Sequence, residues 1–89
     1  MKHYILYYKT VEGYTEKRLP YRTEHLALVQ RYKEAGHILM AGALADPVDG
    51  AVLIFKVEGP EGVEEFVHQD PYVRAGLIPS CEIREWSIV

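Results

Sequence analysis

The sequence is poor in cysteine and has no long hydrophobic run. Its single cysteine, Cys81, has no second cysteine with which to form an internal disulfide or a cysteine-rich zinc site. This usage is typical of a reducing compartment, and we expect a cytoplasmic protein. No run approaches the roughly 20 apolar residues that a membrane helix needs, and Lys9 ends the first apolar run too early for a signal peptide. We therefore expect no membrane partner.

Excess positive charge and metal-binding spacings are also lacking. Ten Lys and Arg residues against thirteen Asp and Glu residues give a formal net charge of −3, which disfavours binding to nucleic acid. The histidines His3, His37 and His68 fall on different predicted elements without the spacing of metal ligands, so no metal site is predicted. The chain has no phosphate-binding loop, nucleophile motif or flavin motif, and we expect no cofactor.

Hydrophobic residues, in contrast, are plentiful. They make up 48% of the 89 residues, which is enough for a packed core. No linker divides the chain, so we expect a single domain over residues 1–89. Because a chain this short buries a smaller fraction of its surface than a longer one, help from a second subunit is expected.

The hydrophobic pattern predicts four strands and two main helices. The strands are expected at residues 3–9, 37–43, 51–57 and 82–89. The helices fall between the first and second strands and between the third and fourth, which gives the order βαββαβ. This is the order of a ferredoxin-like α+β fold, an antiparallel sheet with both helices on one face.

The helix boundaries follow from proline and glycine. The long helix is expected to run from about residue 16 or 19 to residue 35, with Gly36 as a left-handed cap and Pro20 in the first turn. The second helix is expected over residues 60–69. One further helical turn, over residues 70–76, should follow it.

The strands predict a homodimer. The segments YILYY (4–8) and AVLIF (51–55) are apolar at successive positions, so both faces of the sheet require burial. Two helices cover only one face, and a second copy most simply covers the other. Trp86 is expected in the core or in this interface. The alternative is a monomer whose tyrosines are partly exposed.

The long helix carries two polar side chains on its apolar side. At about 100° per residue, one arc holds Leu19, Arg22, His25, Leu26, Leu28, Val29, Tyr32 and Ala35. A buried imidazole and a guanidinium need partners, and the start of a helix favours anions. His25 and Arg22 therefore fit a pocket for a small anionic molecule. Helix spacing alone favours the alternative, in which His25 is a satisfied core histidine and Arg22 reaches solvent or pairs with a carboxylate.

Asp70 has two candidate roles. With Pro71 after it, it has the composition of a helix start, in which its side chain caps the first turn. It also lies seven residues after Val63, in phase with the apolar face of the second helix, where a carboxylate would orient His25 and stabilise its protonated form. Spacing alone slightly favours capping without pairing.

Tyrosines are numerous enough to line a pocket. Five of them, Tyr4, Tyr7, Tyr8, Tyr32 and Tyr72, are candidates. Packing against the sheet is the favoured interpretation for the group. Tyr72 is retained as a candidate contact of the substrate.

Three segments resemble the YCII-related (YciI-like) domain family of the dimeric α+β barrel group. They are RTEHL (22–26), AGALADPVDGAVLIF (41–55) and DPYVRAGL (70–77), and the resemblance covers essentially the whole chain. It implies a ferredoxin-like subunit that forms a homodimer, with a histidine–aspartate pair that matches His25 and Asp70 and an arginine that matches Arg22. Some members are associated with elimination or dehalogenation of muconate-type acids. Many carry Gly-Pro where this chain has Gly42 and Ala43.

Two functions of different classes are compatible with these residues. The leading hypothesis is a small cofactor-independent lyase or isomerase that acts on a small organic acid by proton abstraction. His25 would be its general acid/base, Asp70 the orienting carboxylate, and Arg22 and Tyr72 the contacts of the substrate. The alternative is a non-catalytic dimer that binds a small ligand or a protein, with the same residues as a buried polar network. A redox or haem-handling relative is a weaker third hypothesis.

Overall fold

The four expected strands form one antiparallel sheet in the computed structural model, which describes residues 1–89. The strands are β1 (Lys2–Lys9), β2 (Ile38–Ala43), β3 (Gly50–Val57) and β4 (Ser80–Glu85). Their spatial order is β2-β3-β1-β4, so the two central strands are β3 and β1. The helices pack on one face. The predicted ferredoxin-like α+β fold is confirmed.

The centre of the sheet is the long pairing of β1 with β3. It extends from Lys2 opposite Val57 to Lys9 opposite Gly50 without a break in register. Because side chains alternate along a strand, one face of β1 carries Tyr4, Leu6 and Tyr8, all at most 4% exposed. These residues pack beneath the helices, and this face of the sheet holds the core.

The prediction of one continuous long helix between β1 and β2 is wrong. The segment contains α1 (Tyr14–Lys17), a 3₁₀ turn (Leu19–Tyr21) and α2 (Arg22–Glu34). Pro20 explains the break, because proline lacks a backbone donor and disfavours the α conformation in the residue before it. The predicted C-cap is confirmed, since Gly36 has φ of 80°.

The apolar arc of α2 is narrower than expected. Leu28 and Val29 are buried, but Leu26 is 48% exposed. Leu19, which belongs to the 3₁₀ turn, is 64% exposed. The early end of α1 changes the direction of the chain, so Leu19 does not continue the buried face of α2.

The second helical region has the expected form. It consists of α3 (Pro60–Gln69) and α4 (Pro71–Arg74), separated by Asp70 in an extended conformation. Extended backbone before a proline is the expected conformation, because the proline ring disfavours a helical residue there. Asp70 is thus turned out of α3 into the centre of the domain, where none of its surface is exposed.

The last strand begins and ends earlier than predicted. It covers Ser80–Glu85 instead of residues 82–89 and pairs with β1 only between Tyr4 and Lys9. Beyond Tyr4, β1 is close to its first residue, so little of it is left for the residues after Glu85 to pair with. Trp86 donates its backbone N–H to the His3 carbonyl and is 43% exposed, and it is not part of the core.

The face of the sheet opposite the helices carries an apolar patch, flanked on β4 by Arg84 and Glu82, which the register places beside Ile5 and Tyr7. We call it the open face and define it by Ile5, Tyr7, Met40, Val52 and Ile54, which the strand registers place side by side. Met40 is 67% exposed and Tyr7 37% exposed. The longest helix has 13 residues, and none of the helices has the length and apolar character required to span a bilayer.

Candidate active site

A pocket of about 320 Å³ lies between α2 and the edge of the sheet formed by β2 and β3. Its lining comes from the strands β1, β2 and β3 and from the helices α1, α2 and α4. His25, Arg22 and Tyr72 all line this pocket, and Asp70 lies directly behind His25. The structure therefore brings together all four candidate site residues.

His25 and Asp70 form a hydrogen-bonded pair. The Nδ1 atom of His25 lies 2.7 Å from Oδ1 of Asp70, and the two side chains are 13% and 0% exposed. An ionised carboxylate only accepts hydrogen bonds, so the bonded Nδ1 carries a hydrogen. In the neutral ring Nε2 then presents a lone pair, and no group of the chain is hydrogen-bonded to it. This is the arrangement of a general base.

Asp70 also caps α4, so the two roles left open by the sequence are combined in one side chain. The backbone N–H of Tyr72 donates to Oδ1 at 3.0 Å, and the hydroxyl of Tyr8 donates to Oδ2 at 2.7 Å. The carboxylate thus has three donors around it, counting His25. A buried charge needs this degree of pairing, and the three contacts fix the position of both oxygens.

Tyr8 is the member of the site that sequence reasoning assigned only to packing. Its hydroxyl is buried, and both burial and the adjacent negative charge of Asp70 raise its pKa far above the ordinary value for tyrosine. It therefore stays protonated and remains a hydrogen-bond donor. The contact joins residues 62 positions apart, and no local pattern indicates it.

Tyr72 holds the histidine ring in place. Its ring is stacked on that of His25 with 3.8 Å between centroids and 7° between planes. Tyr14 in turn packs edge-on against the Tyr72 ring, with 5.7 Å between the ring centroids. Burial raises the pKa of the Tyr72 hydroxyl, while the nearby positive charges of Arg22 and Arg18 oppose the rise. The imidazole is thus held by an aromatic stack in addition to its hydrogen bond.

The pocket is rich in unpaired positive charge. Arg18, Arg22 and Lys33 line it, and no Asp or Glu does. The ion pairs of the chain are Lys2–Glu85, Arg84–Glu82 and His25–Asp70, so none of the three basic side chains is paired with a carboxylate. In a chain of net charge −3, this concentration favours an anionic ligand.

Sequence reasoning found Arg22 but missed Arg18 and Lys33. Arg18 lies in the break between α1 and the 3₁₀ turn. A helical wheel that assumes one continuous helix therefore predicts the wrong direction for its side chain. Lys33 lies at the far rim of the pocket, on a part of α2 that is otherwise solvent-exposed. The sequence signal that could have located Arg18 is Pro20, which we placed in the first turn of one helix and which instead lies at a break between two.

Small residues form the wall opposite α2. Ala41, Gly42, Ala43 and Ala51 line the pocket there. Ala43 pairs with Ala51, so β2 stays in the sheet to its last residue. Short side chains on the sheet leave the space in front of His25 open.

Comparison with protein families identifies the chain. The YCII-related domain matches residues 1–87. Protein YciI from Escherichia coli O6:H1 is 30% identical over 95 residues, covering 97% of both chains. An uncharacterized protein from Haemophilus influenzae is 29% identical over 96 residues, covering 98% of both.

A solved structure extends the comparison to the fold. It is the 5-chloro-2-hydroxyhydroquinone dehydrochlorinase TftG from Burkholderia phenoliruptrix, in complex with 2,5-dihydroxybenzoquinone. The TM-score is 0.84 at 25% sequence identity, and the match covers 98% of this chain and 95% of that one. The family match over nearly the full length and the shared fold lead to one conclusion: this chain belongs to the YCII-related domain family.

Proposed function

We propose that this protein is a small lyase or isomerase in which His25 is the general acid/base and Asp70 its orienting carboxylate. The observation that carries the proposal is the 2.7 Å contact between Nδ1 and Oδ1, which leaves Nε2 free at a pocket. A structural neighbour that is a dehydrochlorinase supports elimination as the reaction class. Proton transfer by a positioned histidine is the chemistry that this geometry suits.

The proposed substrate is a small organic acid. Its anionic group would be bound by Arg22, with Tyr72 as a second contact of the substrate. The unpaired basic side chains around the pocket and the lack of carboxylates in its lining support an anion. A volume of about 320 Å³ is at the small end of the range for ligand pockets, which starts at roughly 300 Å³.

The proposed reaction begins at Nε2 of His25. This atom removes a proton from a carbon of the bound acid, and the electron pair of the C–H bond moves toward the adjacent carbon. In an elimination that pair forms a double bond while a leaving group departs with its own bonding pair, and the imidazolium then gives its proton to the leaving group or to water. In an isomerisation of an unsaturated acid that pair forms a new double bond, the existing double bond shifts its pair to the far carbon, and the imidazolium returns the proton there. Asp70 stabilises the imidazolium, and Tyr8 holds Asp70 in position.

Proton abstraction can be tested without knowing the natural substrate. The protein is incubated in D₂O with 5-chloro-2-hydroxyhydroquinone and with a panel of small carboxylic acids, and both chloride release and C–H exchange are followed by NMR. We expect His25→Ala to lower the rate of the active compound about 100- to 10,000-fold. His68→Ala, which changes an exposed histidine on α3, is the matched control.

Two results would contradict the proposal. One is a turnover rate that survives His25→Ala. The other is a wild-type protein that binds small acids but neither eliminates nor exchanges a proton in any of them. The second result would favour the non-catalytic binding module, with His25, Asp70 and Tyr8 as a structural network.

We also propose that the protein is a homodimer whose interface is the open face. Five apolar side chains lie together there; Tyr7 and Met40 are exposed, and the other three are only partly buried within the chain. Large exposed apolar patches on a small domain mark association sites. A two-fold axis would place the same patch of each copy against the other.

A further inference from the structure

Two buried donors at the pocket lack a hydrogen-bond acceptor. They are the Nε–H of Arg18 and the O–H of Tyr72, and both residues line the pocket. Tyr72 is 1% exposed, and a hydrogen bond from Arg22 lowers the pKa of its hydroxyl, but a guanidinium only donates, so the O–H of Tyr72 still has no acceptor. Unpartnered buried polar groups are uncommon in folded proteins, and each one calls for an explanation. A bound ligand that accepts a hydrogen bond from each of these two groups would explain both.

We propose that Arg18, Arg22 and the Tyr72 hydroxyl form a carboxylate subsite, in which Arg18 binds the carboxylate side-on through Nε–H and one Nη–H. Arg22 adds a second positive charge, and the Tyr72 hydroxyl donates to one of the same oxygens. The inference deepens the proposed function, because it rests on the substrate being a small organic acid. It assigns the principal contact to Arg18.

Arg18 is held in place without using its donors. Its guanidinium lies over the Tyr14 ring at 5.0 Å from the centroid, a cation–π contact that engages the flat face of the group. Tyr14 is itself 4% exposed and packs against Tyr72. The N–H groups around the edge of the guanidinium therefore remain available. This is preorganisation for a planar acceptor.

The geometry suits an anion with two oxygens side by side, as in a carboxylate. A guanidinium edge offers two parallel N–H bonds at the spacing of two carboxylate oxygens, whereas lysine offers only a point charge. The Tyr72 ring is stacked flat on His25, so a carboxylate on its hydroxyl lies on the same side of the pocket as the base. The proton that His25 removes would then come from a carbon close to the carboxylate.

Binding of benzoate tests the subsite independently of catalysis. ¹⁵N-labelled protein is titrated with benzoate and, as the neutral counterpart, with benzamide, and amide and arginine Nε shifts are followed. We expect benzoate to shift the Arg18 Nε signal and benzamide to leave it unchanged. Arg18→Lys should lower the affinity for benzoate at least about tenfold although it keeps the charge. Tyr72→Phe should lower this affinity by about tenfold or less.

Controls separate the subsite from the fold and from the reaction. Arg31→Lys changes an exposed arginine outside the pocket and should bind benzoate as the wild type does. A wild-type protein that binds benzoate through Arg18 but neither eliminates nor exchanges a proton in any small acid would remove the proposed function and leave the subsite standing. Equal benzoate affinity in Arg18→Lys and Arg31→Lys would overturn the subsite. So would a wild-type Arg18 signal that does not respond to benzoate.

Discussion

Tyr7 and Tyr8 are neighbours in β1, and they show how differently the two faces of the sheet are used. Tyr8 is 1% exposed and donates its hydroxyl to the buried Asp70. Tyr7 points the other way, is 37% exposed, and lies next to Val52 on the open face. The helix-covered face thus contains a buried charged network, while the face without helices carries an exposed apolar patch. Burial in this chain therefore follows the pairing of polar groups and not hydrophobicity alone.

Of the substitutions that would test this difference between the two faces, we expect those at Asp70 to have the largest effect on stability. Asp70→Ala removes the acceptor shared by Tyr8, His25 and the Tyr72 N–H, and we expect a loss of about 3–5 kcal/mol in the free energy of unfolding. Asp70→Asn should lose less, because its amide oxygen retains part of the network. Chemical denaturation measures both, with Glu64→Ala on the exposed side of α3 as the control. A loss below about 1 kcal/mol in Asp70→Ala would contradict the account.

The next effect concerns the open face. Ile54→Lys places a charge at the centre of the proposed interface, and we expect the mass in solution to fall from that of a dimer to that of a monomer. Light scattering after size-exclusion chromatography measures it. Glu64→Lys adds the same side chain to α3 and should leave the mass unchanged. A wild-type protein that is monomeric at all concentrations would contradict the homodimer.

A smaller effect is expected at alkaline pH. The folded state keeps Tyr8 protonated because its pKa is raised, whereas an unfolded tyrosine ionises near pH 10. The contribution of the protonated Tyr8 to the free energy of unfolding is therefore complete below about pH 10. Above that pH it falls by about 1.4 kcal/mol for each pH unit per tyrosine. Tyr8→Phe should reduce the slope of unfolding free energy against pH in this range. An unchanged slope would show that Tyr8 ionises freely in the folded protein.

Local sequence patterns predicted most of the elements because their causes are local. The residue before Pro71 is extended, Gly36 adopts positive φ, and the apolar strands form the sheet in the expected order. The single long helix failed for a local reason as well, since the effect of Pro20 was placed in the first turn instead of at a break. The end of β4 depended on where β1 runs out, which lies far away in sequence.

The candidate site was predictable only in part. His25 and Arg22 were visible because they interrupt an apolar arc, and Asp70 because of its phase with Val63. The contact of Tyr8 with Asp70 and the approach of Arg18 to Tyr72 depend on packing between separate elements. Periodicity carries no information about such contacts. The catalytic and binding roles of these residues remain predictions for the experiments above.

The most direct test of the central claim is the position of the proton on the neutral His25 ring. ¹⁵N NMR at alkaline pH distinguishes Nδ1–H from Nε2–H, and the hydrogen bond to Asp70 predicts a single tautomer with the proton on Nδ1. In Asp70→Ala, which removes the acceptor, we expect both tautomers to be populated. A wild-type ring protonated on Nε2 would leave no lone pair facing the pocket, and it would contradict His25 as the general base.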